Sequence, residues 1–167
     1  MILSGRAWKF GDDISTDLIL PGRFFPICSS NEELFKHVFS DIRPDILSLI
    51  GRGDFIVGGE NFGLGSSREQ APAAIKAIGV DVILAKSFAR IFYRNCVNLG
   101  IYPLVCDTDE INECDELEFD TDTFQIRNLK QDKILNSEVL PEIVRSIIDA
   151  GGLITYLRTN KGILTHA

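Results

Sequence analysis

Two serines and an arginine stand in succession, Ser66-Ser67-Arg68, after a glycine-rich run, Gly58-Gly59-Glu60-Asn61-Phe62-Gly63-Leu64-Gly65. Two hydroxyls beside a planar cation form a set that can hold a carboxylate, because a guanidinium presents paired N–H donors and the hydroxyls add more. Glycines at 58, 59, 63 and 65 let the backbone approach a bound anion closely and turn successive N–H groups toward it. A plainer reading is also open. Ser66 or Ser67, with Glu69 or Gln70 three positions on, matches a capping box, which needs no substrate. A cap alone leaves Arg68 without a role, whereas a carboxylate bound at the positive end of a helix gives it one.

The elements that must position this set follow from the flanking sequence. Asp54-Phe55-Ile56-Val57 is a short apolar run of strand character, and residues 71–77 have helical composition, with Pro72 tolerable in a first turn. Upstream, residues 5–11 alternate apolar and polar and predict an N-terminal strand, followed by a turn over residues 12–17. From Leu18 to Ser30 the chain mixes Pro21, Gly22 and Pro26 with large apolar residues and reads as a loop. Its Phe24, Phe25, Pro26 and Ile27 must pack on their own domain or cover something else. Ser30 is placed to cap a helix running to about Phe39, and a second short helix follows Pro44.

Beyond the glycine-rich turn come a buried strand at 80–85, a helix from Lys86 onward with Ser87 as its cap, and a strand at 102–105. Strand, helix, strand in this order implies parallel pairing. Residues 117–129 predict a hairpin. Pro141 starts a helix through Asp149 that Gly151-Gly152 ends, and Thr155 onward reads as a tail. The expected fold is a single α/β domain over residues 1–167, a central sheet or small barrel flanked by helices.

The 167 residues are 45% apolar and 25% charged, as in soluble globular proteins, and no apolar run is long enough for a membrane helix. Met1 to Gly5 lacks the basic start and long apolar stretch of a secretory signal, so a cytoplasmic location is expected. A formal charge of −7 argues against nucleic acid or an anionic membrane as the main partner. Arg68, Lys86, Arg90 and Arg94 form the densest run of cations. Cys28, Cys96, Cys106 and Cys114 show no C-x-x-C pair and no clustering with His37 or His166, so no zinc or complete iron–sulfur site is expected within this chain. The serines lack G-x-S-x-G spacing, which argues against a serine hydrolase.

Three separated motifs, Asp13-Ile14-Ser15-Thr16-Asp17, Gly63-Leu64-Gly65-Ser66-Ser67-Arg68-Glu69 and Lys86-Ser87-Phe88-Ala89-Arg90-Ile91, resemble in identity and order those of the swivelling domain of aconitase-type hydro-lyases. The resemblance covers nearly the whole chain, whose length and free-standing form are similar to the small subunits of the 3-isopropylmalate dehydratase family and of homoaconitases. It implies a swivelling β/β/α fold and a large partner subunit carrying a [4Fe–4S] cluster that binds the substrate; none is bound by this chain alone. It implies further that Ser66 is the base that removes a carbon-bound proton, and that Ser67 and Arg68 hold a carboxylate of a small dicarboxylate substrate. Self-association of the isolated subunit is a further possibility.

Two positions depart from the family pattern. Leu64 stands where the family commonly has cysteine, and Phe24-Phe25-Pro26 replaces a Tyr-Leu-Val or Tyr-Leu-Arg sequence whose third residue is associated with substrate choice. An apolar Phe24, Phe25 and Pro26 favours a hydrocarbon branch over a third carboxylate, which could not be buried there without a cation. The expected activity is interconversion of 2- and 3-isopropylmalate by dehydration and rehydration, in leucine biosynthesis. The alternatives are a related subunit acting on dimethylmalate, citraconate and methylmalate, or homoaconitate, and a carboxylate-binding module without catalysis.

Overall fold

Phe55 to Val57 are all buried, and so are Val82 to Ala85, as strands covered on both faces require. In the computed structural model, which describes residues 1–160, these runs form β2 (Phe55–Val57) and β3 (Val82–Ala85), with β1 (Ile2–Lys9) and β4 (Tyr102–Val105) outside them. All four are parallel, with Ala7 opposite Phe55, Phe55 opposite Val82 and Val82 opposite Tyr102. Pro103 sits in β4 without breaking the ladder because β4 is an edge strand.

The other edge of β1 pairs antiparallel with β5 (Glu116–Asp120), which is followed by β6 (Gln125–Asn128) and β7 (Lys133–Asn136). The order is therefore β4-β3-β2-β1-β5-β6-β7. The expected hairpin is a three-stranded meander. Its third strand is mostly exposed and carries no alternation to betray it.

The helices are α1 (Thr16–Ile19), α2 (Asn31–Phe35), α3 (Ile46–Leu49), α4 (Gln70–Ala77), α5 (Arg90–Asn98), α6 (Glu142–Asp149) and α7 (Leu153–Thr159). Ser30 caps α2 as its spacing predicts, its Oγ accepting from the Glu33 N–H at 3.2 Å. Pro141 immediately precedes α6, and Gly151 and Gly152 follow it with φ of 85° and 113°.

Further expectations change. The helix that Ser30 caps ends at Phe35, short of Phe39, and the chain continues in turns. The N-terminal strand starts at Ile2. The 18–30 loop contains the end of α1 and a 3-10 turn over Gly22–Phe24. Ser87 does not cap α5, whose cap position is Ala89; its Oγ accepts instead from the Asn61 N–H at 2.8 Å and donates to Glu60. The first part of the expected tail is α7, while residues 161–167, with His166, lie outside the described residues. None of the described helices is long and apolar enough to cross a membrane.

Alternation along the central strands divides the interior in two. Ile56 and Ile83 face one cluster, shared with Ile19, Leu34, Ile46, Ile75 and Phe92 of the helices. Phe55, Val57, Val82 and Leu84 face another, shared with Leu117, Phe119 and Ile126 of the antiparallel strands and Ile148 of α6. The result is the expected α/β class, a central sheet flanked by helices.

Asp54, 5% exposed, fastens β1 to β2. Its Oδ1 accepts from the Arg6 N–H at 2.9 Å, and its Oδ2 from Trp8 Nε1 and the Gly51 N–H, both at 2.8 Å. Burial pushes this carboxyl up, but the three N–H donors and the Arg6 charge outweigh it and hold the acid below the usual aspartate range. Because β1 to β4 are parallel, the segments after β1, β2 and β3 all leave the same edge of the sheet, the edge where α/β folds place their sites.

Candidate active site

At that edge the glycine-rich turn is held between two other segments by main-chain bonds. The Gly58 N–H donates to Leu84 O at 2.8 Å and the Phe62 N–H to Ser87 O at 2.9 Å. On the other side the Gly63 N–H reaches Ile14 O at 2.7 Å, and the Thr16 N–H reaches Leu64 O at 2.8 Å. The departure at position 64 therefore leaves this linkage intact, since the backbone of Leu64 makes it. Gly63 has φ of 80° and lies against the ring of Phe92, so that a methyl group there would overlap the ring.

The turn delivers Ser66 to Thr16, fifty positions earlier in the chain. Thr16 is 2% exposed; its Oγ1 accepts from the Ser66 N–H at 3.1 Å and lies 3.1 Å from Ser66 Oγ. Arg68 Nε donates to the same Ser66 Oγ at 2.8 Å. The Arg68 guanidinium is itself held, with Nη2 donating to Asp17 Oδ1 at 3.0 Å and Cζ lying 5.0 Å from the centroid of the Phe25 ring. Asp17 Oδ1 also accepts from the Gly22 N–H at 3.0 Å, which ties the following loop to the same guanidinium.

Ser66 and Ser67 do not cap α4. The cap position is Glu69, with no side-chain bond to the helix, and the capping-box reading is thereby corrected. Both serines are exposed, and the N–H groups of Ser67, Arg68 and Glu69 have no acceptor among the described residues. Unpaired N–H groups and hydroxyls at the start of a helix, next to a guanidinium, suit a carboxylate.

The remaining expected residues separate. Phe24 turns away from Ser66 and stacks on His37, with ring centroids 3.7 Å apart and planes 5° apart. Arg23 lies over the other side of Phe24 and makes a two-pronged pair with Asp41. Phe25 turns toward Arg68, whereas Pro26 is exposed and Ile27 is 70% exposed. The expected run of cations is also divided. Lys86 pairs with Asp109 at 2.5 Å and Arg68 with Asp17, whereas Arg90 and Arg94 are exposed and form no ion pair among the described residues.

Thr16 and Asp17 are the functional candidates that local spacing misses. The Asp13 to Asp17 motif was the one available signal, and it carried no role for either side chain. Together the groups can do two things: stabilise negative charge on Ser66 Oγ and present donors to a carboxylate beside it.

The Aconitase C-terminal domain family matches residues 51–109, which include the turn, α4 and the first motif residues of α5. The "3-isopropylmalate dehydratase small subunit 2" of Archaeoglobus fulgidus is 48% identical over 98% of this chain and 99% of its own length. The "Methanogen homoaconitase small subunit" of Methanocaldococcus jannaschii is 45% identical, over 96% of this chain and 94% of its own. A crystal structure of 3-isopropylmalate dehydratase from Methanocaldococcus jannaschii superimposes with a TM-score of 0.92 at 45% identity, covering 99% of this chain and 98% of that one. With near-complete coverage on both sides, the chain belongs to the family of 3-isopropylmalate dehydratase small subunits, within the aconitase-type hydro-lyases.

Proposed function

We propose that this chain is the small subunit of a two-component hydro-lyase that interconverts 2-isopropylmalate and 3-isopropylmalate in leucine biosynthesis, working in the cytoplasm as one swivelling domain. The observation that carries the reading is the convergence of Arg68 Nε at 2.8 Å and the Thr16 hydroxyl at 3.1 Å on Ser66 Oγ. A serine hydroxyl is a poor base in water, so the alkoxide must find donors already in place. Thr16 Oγ1 accepts from the Ser66 N–H, which leaves its own hydrogen free for Ser66 Oγ.

In the proposed reaction the Ser66 alkoxide takes the proton from the carbon next to the hydroxyl-bearing one. The C–H electron pair becomes the double bond, the C–O pair leaves with the hydroxyl as hydroxide, which the large subunit's cluster would accept, and Ser66 is left neutral. Rehydration in the opposite sense returns the proton from Ser66 to the other carbon, so no net proton is consumed. Ser67, Arg68 Nη1 and the free N–H groups of the turn hold one substrate carboxylate meanwhile.

The four cysteines are free, and no group of three or more His, Cys, Asp or Glu among the described residues could hold a metal ion, so a cluster does not fit the described residues. In the proposed complex the large subunit carries the [4Fe–4S] cluster and covers Ser66, which is exposed here.

The test is turnover of 2-isopropylmalate by the chain mixed with its large subunit. The wild-type mixture forms isopropylmaleate, and Ser66→Ala binds the partner equally but loses turnover by at least about 10³-fold. Wild-type-like rates in that variant would remove Ser66 from its role. No activity on any malate would favour a non-catalytic carboxylate-binding module.

A further inference from the structure

Successive side chains of the 22–28 loop go to different places, and that of Phe25 meets the arginine beside Ser66. Arg23 is committed to Asp41, and Phe24 is sandwiched between Arg23, 4.6 Å from its ring centroid, and His37. Pro26 and Ile27 project outward. Phe25 is directed at the site, where the Arg68 Cζ lies over its ring, 5.0 Å from the centroid.

That guanidinium has two of its edges fixed. Nε is bonded to Ser66 Oγ and Nη2 to Asp17 Oδ1, both in the plane of the group. Two hydrogen bonds at its edges leave the guanidinium some freedom to shift, and the attraction of the Phe25 ring for the cation opposes that shift. The loop is registered against the same contact, because the Gly22 N–H shares Asp17 Oδ1 and the Phe25 N–H closes the turn onto Gly22 O at 3.3 Å.

We propose that Phe25 is a positioning residue that acts through Arg68: its ring holds in place the guanidinium that receives the substrate carboxylate. The loop then influences substrate choice through this stack and not through a cation of its own, since the loop's only cation, Arg23, is already paired. This rests on the proposed function for its kinetic consequences, but not for the stack itself.

The stack is read first in the isolated chain, from the Nε–H resonance of Arg68. Ring current from Phe25 displaces that signal from those of exposed arginines. Phe25→Leu returns it toward them, while Phe24→Leu leaves it in place. An Arg68 signal unmoved by Phe25→Leu overturns the proposal.

The second reading uses the complex with the large subunit. Phe25→Leu raises KM about 3- to 30-fold with a smaller change in kcat, as expected for loss of uniform carboxylate binding. Phe25→Tyr, which keeps a ring, stays within about twofold of wild type. Phenylalanines with one, two and three ring fluorines at position 25 raise KM stepwise, since fluorine weakens the ring's attraction for a cation with little change of shape. A flat series, or a fall in kcat at constant KM, overturns the positioning role. If the wild-type complex turns over no malate, the proposed function fails, and the resonance measurement alone decides the stack.

Discussion

The glycine-rich turn and the 22–28 loop both reach Arg68, yet they are fastened in different ways. The turn is built into the frame by main-chain bonds to Ile14, Thr16, Leu84 and Ser87, so its course is set by the sheet and by the β1–α1 connection. The loop closes mainly on itself, through bonds from Phe24 to Pro21, Phe25 to Gly22 and Cys28 to Phe24. It meets the rest of the molecule chiefly through side chains: Arg23 with Asp41, Phe24 with His37, and Phe25 with Arg68. Main-chain fastening tolerates little change in geometry, whereas side-chain fastening can be exchanged residue by residue. The group proposed to move the proton is thus on the rigid part, and the groups proposed to discriminate among substrates are on the replaceable part.

The largest expected effect tests the turn. Gly63→Ala places a methyl group against the Phe92 ring at a left-handed φ, and should lower stability by about 3 kcal/mol or more, read as a shift of the urea midpoint. A variant as stable as wild type would mean that the turn is no stiffer than the loop. Next, Thr16→Val removes one donor to Ser66 Oγ and the acceptor of the Ser66 N–H. Turnover should fall about 10²-fold with KM nearly unchanged, at a cost in stability of about 1–3 kcal/mol.

The anchor beneath the turn gives a pH-dependent prediction. Asp54→Asn presents an amide N–H₂ to groups that themselves donate, and should cost about 1–3 kcal/mol at pH 7. Because the folded carboxyl titrates below its unfolded value, its contribution is complete above about pH 4 and disappears as pH falls through the lower folded value. The gap in urea midpoint between wild type and Asp54→Asn should therefore shrink on acidification below pH ~4; a constant gap would show that the charge is immaterial. The smallest effect belongs to the loop. Asp41→Asn releases Arg23 on the surface, and should leave the urea midpoint in place and change KM by less than about threefold. A loss comparable to that of Gly63→Ala would erase the distinction between the two regions.

The rigid region was the more legible in the sequence. Phe55-Ile56-Val57 and Val82-Ile83-Leu84 read as buried strands because both of their faces are covered, and Pro141 and Ser30 marked helix starts through local chemistry. Ser87 and Ser66 misled because a serine three residues before a glutamate or an early helical residue has the same spacing whether its hydroxyl turns back to the helix or across to another segment. Leu153 to Thr159 read partly as a tail since β-branched Ile154 and Thr155 weaken a helical pattern that packing restores. Thr16 and Asp17 could not be assigned from spacing at all, because their partners are about fifty residues away. Arg68 was read as the clamp, but its stack on Phe25 and its bond to Ser66 are tertiary facts.

The contact between Ser66 and Thr16 has a consequence for the order in which the protein is made ready. It spans 50 positions, and the Trp8–Asp54 bond that secures the same two strands spans 46. Parallel pairing at such separations closes late, after the loop entropy of the intervening chain has been overcome. No form lacking the β1–β2 pairing can therefore hold Ser66 against Thr16, although Arg68 is local, and assembly of the full donor set coincides with completion of the sheet. A partner that recognises the finished edge would select only mature subunits, so that binding itself serves as inspection.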